Sequence, residues 1–210
     1  MKNNKLIGVL AVLITVGCVG RFIYKQFGGR SKVDVQPFAT LGALVADETS
    51  KLLPPKSSVV VLSVDTAKYH IPTLDTLLSA FTKGVKQKRD ITISSIEHFR
   101  IPSATFLAIS TGSLVPPAAL FPPGQFLKLV QDNSGAGAIV SFVGLPSSLS
   151  ANTSELQQKH SKIIVVSNRD PELVNLLKSH VIDLAIVPRA EPATGKGSNE
   201  SPYEVLTSDK

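Results

Sequence analysis

The sequence predicts an α/β fold in which a mostly parallel sheet of about five strands lies between two layers of helices. Two observations lead to this prediction. Short runs of β-branched and apolar residues are typical of strands covered on both faces, and residues 58–64 are the clearest example. Between such runs lie segments whose apolar residues recur at helical spacing. This alternation implies right-handed crossovers, and therefore a three-layer, Rossmann-like domain with strand order 2-1-3-4-5.

The first half of the domain begins with a helix over residues 36–53, which Pro54 and Pro55 end. The strand at 58–64 follows directly. Thr73 is expected to cap a second helix, whose lysine-rich end complements the helix dipole. A weaker strand at residues 91–96 then suits the edge of a sheet.

The second half alternates in the same way. A short strand is expected at residues 104–110, followed by a helix that Pro123 opens. A later helix is expected to be capped by Asp170. The remaining elements are strands at residues 137–143, 162–166 and 181–187 and a short helix around Leu156. Residues 203–206 could dock back as an edge strand.

An N-terminal transmembrane or signal helix precedes the domain. Residues 6–20 form an apolar run broken only by Thr15, with Lys2 and Lys5 before it and further basic residues after it. These residues fall short of the roughly 20 that span a bilayer, but a snorkelling Arg21 would lengthen the run. The chain is therefore divided into an anchor or signal segment (1–27), a tether (28–35), the α/β domain (36–188) and a polar C-terminal tail (189–210).

Three fates of the leader stay open. It could remain as an uncleaved membrane anchor. It could be a lipoprotein signal, because Val16, Gly17 and Cys18 resemble a lipobox whose cysteine is acylated, although Thr15 departs from the aliphatic residue that such a box prefers. Simple cleavage is the third fate, but no clear small-x-small site follows the apolar run.

The charge distribution indicates an interaction with a membrane and not with nucleic acid. The net charge of +6 comes from six basic residues among the first 32, where no acid occurs, and the rest of the chain is neutral. A neutral domain lacks the basic surface that a polyphosphate needs, so no nucleic-acid partner is predicted. Charge counting around the apolar run alone favours a cytoplasmic domain. The form of the leader favours secretion, and we expect a location at the cytoplasmic membrane with the domain facing the periplasm or the cell exterior.

Catalytic functions are not indicated. The one cysteine lies in the leader, so the domain has no thiol nucleophile, disulfide or zinc cluster, and the four histidines lack ligand spacing. Gly144 and Arg189 stand where a phosphoacceptor domain would need an acid and a lysine. Neither a Gly-x-Ser-x-Gly motif nor a dinucleotide fingerprint occurs. We therefore predict a non-catalytic protein without a cofactor or a metal.

Four segments of the domain carry a family resemblance: Leu-Asp-Thr-Leu-Leu-Ser-Ala-Phe-Thr-Lys-Gly (74–84), Gly-Ala-Gly-Ala-Ile-Val-Ser-Phe-Val-Gly-Leu-Pro (135–146), Lys-Ile-Ile-Val-Val-Ser-Asn (162–168) and Val-Ile-Asp-Leu-Ala-Ile-Val-Pro (181–188). With an entering helix before the first strand, residues 38–188 resemble one lobe of the type I periplasmic binding proteins. The ligand domains of the lactose-repressor family share that fold. The resemblance implies a ligand-facing Asn or Asp after strand four, here Asn168 or Asp170. The family holds its ligands between two lobes, and this chain provides one.

The candidate ligand site lies at the carboxyl ends of the strands, because doubly wound sheets bind ligands there, where the strand order reverses. The polar residues and glycine that follow the predicted strands are Asp65, Thr66, Glu97, His98, Gly144, Asn168, Arg169, Asp170 and Arg189. Asp170 has a second interpretation, as no more than the cap of the next helix.

These observations predict a membrane-anchored, non-catalytic, binding-protein-like domain that recognises a small polar, sugar-like ligand or a partner protein. Such a lobe could pair with a second lobe or with a second copy of itself. The alternatives are a structural or accessory interaction domain of the cell envelope without a small-molecule ligand, and an undetected hydrolase.

Overall fold

The computed structural model of the chain describes residues 34–65, 71–88, 90–100, 121–146, 149, 153–158, 160–190 and 201–208. The predicted leader with Cys18, the candidate site residue Thr66 and the strand predicted at residues 104–110 lie outside the described residues. Among the described residues, no helix combines the length and the apolar content that crossing a bilayer requires.

Six strands form one sheet in the order β2-β1-β3-β4-β5-β6. The strands are β1 (Ser57–Val64), β2 (Ile91–Phe99), β3 (Ala138–Ser141), β4 (Lys162–Val166), β5 (Leu184–Pro188) and β6 (Tyr203–Thr207). The first five run parallel, and β6 pairs antiparallel with β5 at the far edge. The predicted order 2-1-3-4-5 is therefore confirmed, and the segment expected to dock as an edge strand does so.

Helices cover both faces of this sheet. They are α1 (Gln36–Leu52), α2 (Pro72–Gln87), α3 (Pro123–Asp132), α4 (Thr153–Gln157) and α5 (Pro171–Lys178). One core cluster packs α1 and α2 against the sheet, and a second cluster packs α3, α4 and α5 against the opposite face. The α/β class with three layers is thus confirmed. The continuous apolar runs of the sequence form strands that are largely buried between the two helix layers. In β3, for example, all four residues are buried.

Several predicted boundaries differ from the structure. Helix α2 begins at Pro72, and Ile71 is its N-cap without a side-chain hydrogen bond, so the expected cap at Thr73 is wrong. Proline pre-sets the backbone for the first helical position, which starts the helix two residues earlier than predicted. Strand β5 begins at Leu184 instead of residue 181. The backbone N–H of Val181 donates to the carbonyl of Leu176 at the end of α5, so this residue still belongs to the helix terminus.

Strand β2 contains a bulge at Ser94. Ile93 pairs with Val59 while Ser95 pairs with the next residue, Val60, so Ser94 is an extra residue in the ladder. The Ser94 hydroxyl donates to the carbonyl of Val59 at 3.2 Å. A bulge shifts the alternation of side chains by one, which explains why the apolar positions of this strand are irregularly spaced in the sequence.

Helices α1 and α2 approach each other at two glycines. A β-carbon at Gly42 would lie 2.3 Å from the carbonyl oxygen of Leu77, and one at Gly84 would lie 2.6 Å from the β-carbon of Ala46. The hydrogen bond from Lys88 Nζ to Asp47 Oδ1, 3.0 Å long, ties the end of α2 to α1. The close packing of α1 on α2 therefore requires glycine at positions 42 and 84, where the two helices cross.

The amino ends of β4 and β5 are joined by Asp183. Its Oδ2 accepts from the backbone N–H of Ile163 and its Oδ1 accepts from Lys162 Nζ, both at 2.9 Å. The Asp183 side chain is only 14% exposed. We expect Asp183→Ala to lower the free energy of unfolding by about 1–2 kcal/mol, because it leaves a partly buried amide without its acceptor.

Urea denaturation at neutral pH would measure this effect. Asp183→Asn is the matched control, since it keeps an oxygen that can accept from Ile163, and it should recover at least half of the loss. Equal stability of the alanine variant and the native chain would show that the amide finds another partner.

Candidate functional site

The carboxyl ends of the parallel strands meet along one edge of the sheet, which we call the carboxyl rim. In the described part of the chain it comprises Asp65, Arg100, Phe142 to Gly144, Ser167 to Asp170, and Arg189. Strand β2 follows β1 on one side, whereas β3, β4 and β5 follow on the other. The strand order therefore reverses between β1 and β3, and a crevice at such a switch point is the usual ligand site of this class of sheet.

An ion pair lies at the switch point. The backbone N–H of Asp65 donates to the carbonyl of Phe99 at 2.8 Å, which fixes the position just after β1. Arg100 Nε lies 3.5 Å from Asp65 Oδ2, and the arginine side chain is 84% exposed. An exposed guanidinium keeps most of its five donors available to a ligand. The sequence prediction missed Arg100 because it ended this strand at residue 96.

The turn after β3 brings backbone to the rim. The buried Ser141 hydroxyl donates to the carbonyl of Gly144 at 2.6 Å. The backbone N–H of Phe142 donates to the carbonyl of Leu62 in β1 at 2.9 Å. Gly144 has φ 89°, in the left-handed region that side chains disfavour. Gly144 therefore follows β3 at the carboxyl rim, and it has no side chain to cover the backbone there.

The loop after β4 presents three exposed polar side chains with different partners. Asp170 Oδ1 accepts from the backbone N–H of Leu173 at 2.8 Å and so caps α5. Arg169 forms an ion pair with Glu204 of β6. Asn168 is exposed, and its side chain has no hydrogen-bond partner among the described residues. Of the three, Asn168 is thus the side chain most available to a ligand.

Strand β6 closes the far end of the rim. The backbone N–H of Arg189 donates to the carbonyl of Pro202 at 2.9 Å, which aligns the start of β6 beside the end of β5. Tyr203 Oη donates to the carbonyl of Pro37 at 3.4 Å, and burial raises the pKa of this phenol above its ordinary value. Glu204 and Tyr203 were not predicted as rim residues, since an edge strand gives no signal of where it docks.

The structure corrects the predicted positions of Glu97 and His98. They lie inside β2, paired in register with Leu62 and Ser63, and not in a loop after the strand. The bulge at Ser94 lets β2 continue to Phe99, so three residues expected beyond the strand belong to it. Neighbouring residues of a strand point to opposite faces, so the side chains of Glu97 and His98 lie on different faces of the sheet.

The described residues do not assemble a metal centre. No three His, Cys, Asp or Glu side chains come together among them as a metal ion would need. His98, His160 and His180 are each exposed and lie on separate elements. The chemistry of the rim is instead that of hydrogen-bond donors and acceptors.

Three solved structures with a similar fold are an arabinose-binding protein and two solute-binding proteins with bound sugars. The arabinose-binding protein AraP of Geobacillus stearothermophilus is 15% identical, with a TM-score of 0.54 over 82% of this chain and 61% of that one. A solute-binding protein of Burkholderia graminis in complex with D-arabinose is 13% identical, with a TM-score of 0.55 over 81% and 60%. One of Agrobacterium vitis with bound α-D-tagatopyranose is 17% identical, with a TM-score of 0.53 over 81% and 56%.

The domain has the fold of the type I periplasmic binding proteins and corresponds to about one of their lobes. The chain spans about three fifths of the length of the first two of these proteins. At identities below 20% the likeness concerns the fold. No protein-family model matches the sequence, and no curated protein matches it.

Proposed function

We propose that the chain is a membrane-anchored, non-catalytic recognition domain that binds a small polar ligand of sugar type at the carboxyl rim. The observation that carries this proposal is the ion pair of Asp65 and Arg100 at the switch point, on the same edge of the sheet as the glycine turn at Gly144. Ligands of doubly wound sheets bind at this position. The sugar ligands of the structural neighbours support the class of ligand.

The rim offers the groups that sugar recognition uses. Each sugar hydroxyl both donates and accepts hydrogen bonds. Asp65 supplies acceptors, Arg100 supplies donors, and the Asn168 amide supplies both. The bare backbone at Gly144 lets a sugar ring approach closely. This set binds and orients a neutral polar molecule without requiring a bond to be made or broken.

A single lobe leaves one side of such a ligand in solvent. A second lobe, a second copy of the chain or a partner protein placed over the rim would enclose it. We expect the solitary lobe to bind weakly, because small-molecule sites gain affinity by burying most of the ligand surface. The basic, apolar leader supports an anchored protein whose domain faces the periplasm or the cell exterior.

A thermal-shift screen with pentoses and hexoses tests the proposal. A ligand that binds only the native state at ten times its Kd adds about 1.4 kcal/mol of stability and raises Tm by a few degrees. Asn168→Ala should remove most of that shift. Asn175→Ala, an exposed asparagine on α5, is the matched control and should keep it. The absence of a shift with every sugar, or an unchanged shift in Asn168→Ala, would contradict the proposed site.

An accessory interaction domain without a small ligand is the second candidate. Some polar side chains of the rim already have partners within the domain, since Arg169 pairs with Glu204 and Asp170 caps α5. A rim that has lost its ligand would keep such contacts for structure. The same sugar screen separates the two functions, because this candidate predicts no stabilisation by any sugar near millimolar concentration.

A further inference from the structure

The start of α1 lies at the carboxyl end of the sheet. Tyr203 of β6 pairs with Pro188, the last residue of β5, and its hydroxyl donates to the carbonyl of Pro37 in the first turn of α1. Strand β5 is one of the parallel strands, so its last residue belongs to the carboxyl rim. This contact therefore places the beginning of α1 beside the rim.

The crossing of α1 and α2 gives the same direction. Gly42 of α1 lies against Leu77 of α2, in the first half of both helices. One turn further along α1, Ala46 lies against Gly84, so the two helices run parallel. Helix α2 leads from the end of β1 to the start of β2, and it therefore begins at the carboxyl ends of the strands. Helix α1 does the same.

This direction limits the distance between the rim and the bilayer. In the proposed function, on which this inference rests, the leader anchors the chain, and the tether of residues 28–35 joins it to α1. Eight residues span at most about 29 Å when fully extended. The amino end of the sheet lies further from the tether by the length of the strands, about 26 Å for β1. The rim is thus the end of the sheet that the tether holds near the membrane.

We propose that the carboxyl rim faces the bilayer and recognises the sugar headgroup of a lipid in the same membrane. A solitary lobe binds a free sugar weakly, because one side of the ligand stays in solvent. A sugar carried on the same surface reaches the rim at an effective concentration in the millimolar range, which compensates for weak binding. Asp65, Arg100 and Asn168 offer the same donors and acceptors to a headgroup hydroxyl as to a free sugar.

The length of the tether favours a headgroup over a second lobe between the rim and the membrane. A lobe of about 150 residues is roughly 35–40 Å across. The tether reaches at most about 29 Å, so a second lobe placed there would exceed its full extension. A single sugar ring is far smaller and fits between the rim and the lipid surface.

Tryptophan probes in the full chain test the orientation. The sequence contains no tryptophan, so one introduced residue reports alone. Ala190→Trp places this probe at the rim, and Lys178→Trp places it at the end of α5, near the amino ends of the strands; both positions are exposed. In phosphatidylcholine vesicles, energy transfer to a dansyl-labelled lipid headgroup should be at least about two-fold more efficient from Ala190→Trp, because the strands separate the two probes by about 16–26 Å. Equal transfer, or stronger transfer from Lys178→Trp, would overturn the proposal.

Vesicles that contain monoglucosyl- or monogalactosyl-diacylglycerol test the ligand. One of these lipids should raise the Tm of the anchored chain by a few degrees over plain phosphatidylcholine vesicles, and the free sugar at the same bulk concentration should raise it less. Asn168→Ala should remove the rise, and Asn175→Ala, an exposed position on α5, should keep it. No rise with either lipid, or a full rise in Asn168→Ala, refutes the lipid-borne ligand.

The outcomes separate a failure of the membrane-facing rim from a failure of the proposed sugar site. Free sugars that stabilise the domain while both lipids have no effect leave the sugar site intact and refute the lipid headgroup. A chain that does not float with vesicles in a density gradient refutes the anchor and the membrane-facing rim together. The absence of a shift with lipids and with free sugars alike refutes the site itself.

Discussion

Phe81→Ala is expected to lower the free energy of unfolding by about 3–5 kcal/mol, the largest loss among the variants considered. Phe81 is fully buried in the layer between α2 and the sheet. Its ring meets Phe142 edge to face, with centroids 5.3 Å apart and planes at 75°. Truncation removes both the buried apolar area and this ring contact, and it leaves a cavity that close-packed neighbours fill only in part.

Urea denaturation monitored by circular dichroism measures the loss. Ser79→Ala, an exposed position on the same helix, is the matched control and should change stability by less than about 0.5 kcal/mol. Phe81→Leu should fall between the two, since it keeps part of the volume. A loss below about 1 kcal/mol in Phe81→Ala would mean that α2 does not pack on the sheet as described.

Gly42→Ala is expected to lower the free energy of unfolding by about 3 kcal/mol, although alanine is the better helix former. The new β-carbon would lie 2.3 Å from the carbonyl oxygen of Leu77 and 3.0 Å from the backbone nitrogen of Phe81. Both are backbone atoms, which no side-chain rotation can move. Helix α1 must therefore shift away from α2, and the apolar layer beneath both helices loses contacts.

Gly124→Ala provides the matched control for this prediction. A β-carbon at Gly124 in α3 meets nothing within 4 Å, so the substitution should leave stability unchanged or raise it by up to about 1 kcal/mol. Thermal and urea unfolding of the two variants would be compared. Similar effects at Gly42 and Gly124 would contradict the close approach of α1 and α2.

Much of the fold was predictable because its central strands are continuous β-branched runs. The β4 segment at residues 162–166 was predicted with its observed bounds. The helix starts at Pro123 and at Asp170 with Pro171 were also predictable, since local rules for proline and for capping govern them. The end of β2 was not, because a bulge and an exposed edge remove the periodicity that marks a strand.

For the candidate site, only the residues that directly follow a buried strand were predictable. Asp65, Gly144 and Asn168 directly follow buried strands, so their place at the rim follows from the parallel topology. Arg100 and Glu204 were missed. Their roles depend on contacts between distant segments, as when Glu204 pairs with Arg169, 35 residues earlier in the chain. Such partners are set by packing, and the local sequence does not specify them.

The hydrogen bond from Tyr203 to Pro37 couples the last strand to the first helix. It connects positions 166 residues apart, the start of the first helix and the start of the last strand. Strand β6 is thus held from two sides, by β5 through the antiparallel ladder and by the start of α1 through this phenol. Removal of β6 would therefore expose the edge of β5 and release the start of the first helix in a single step.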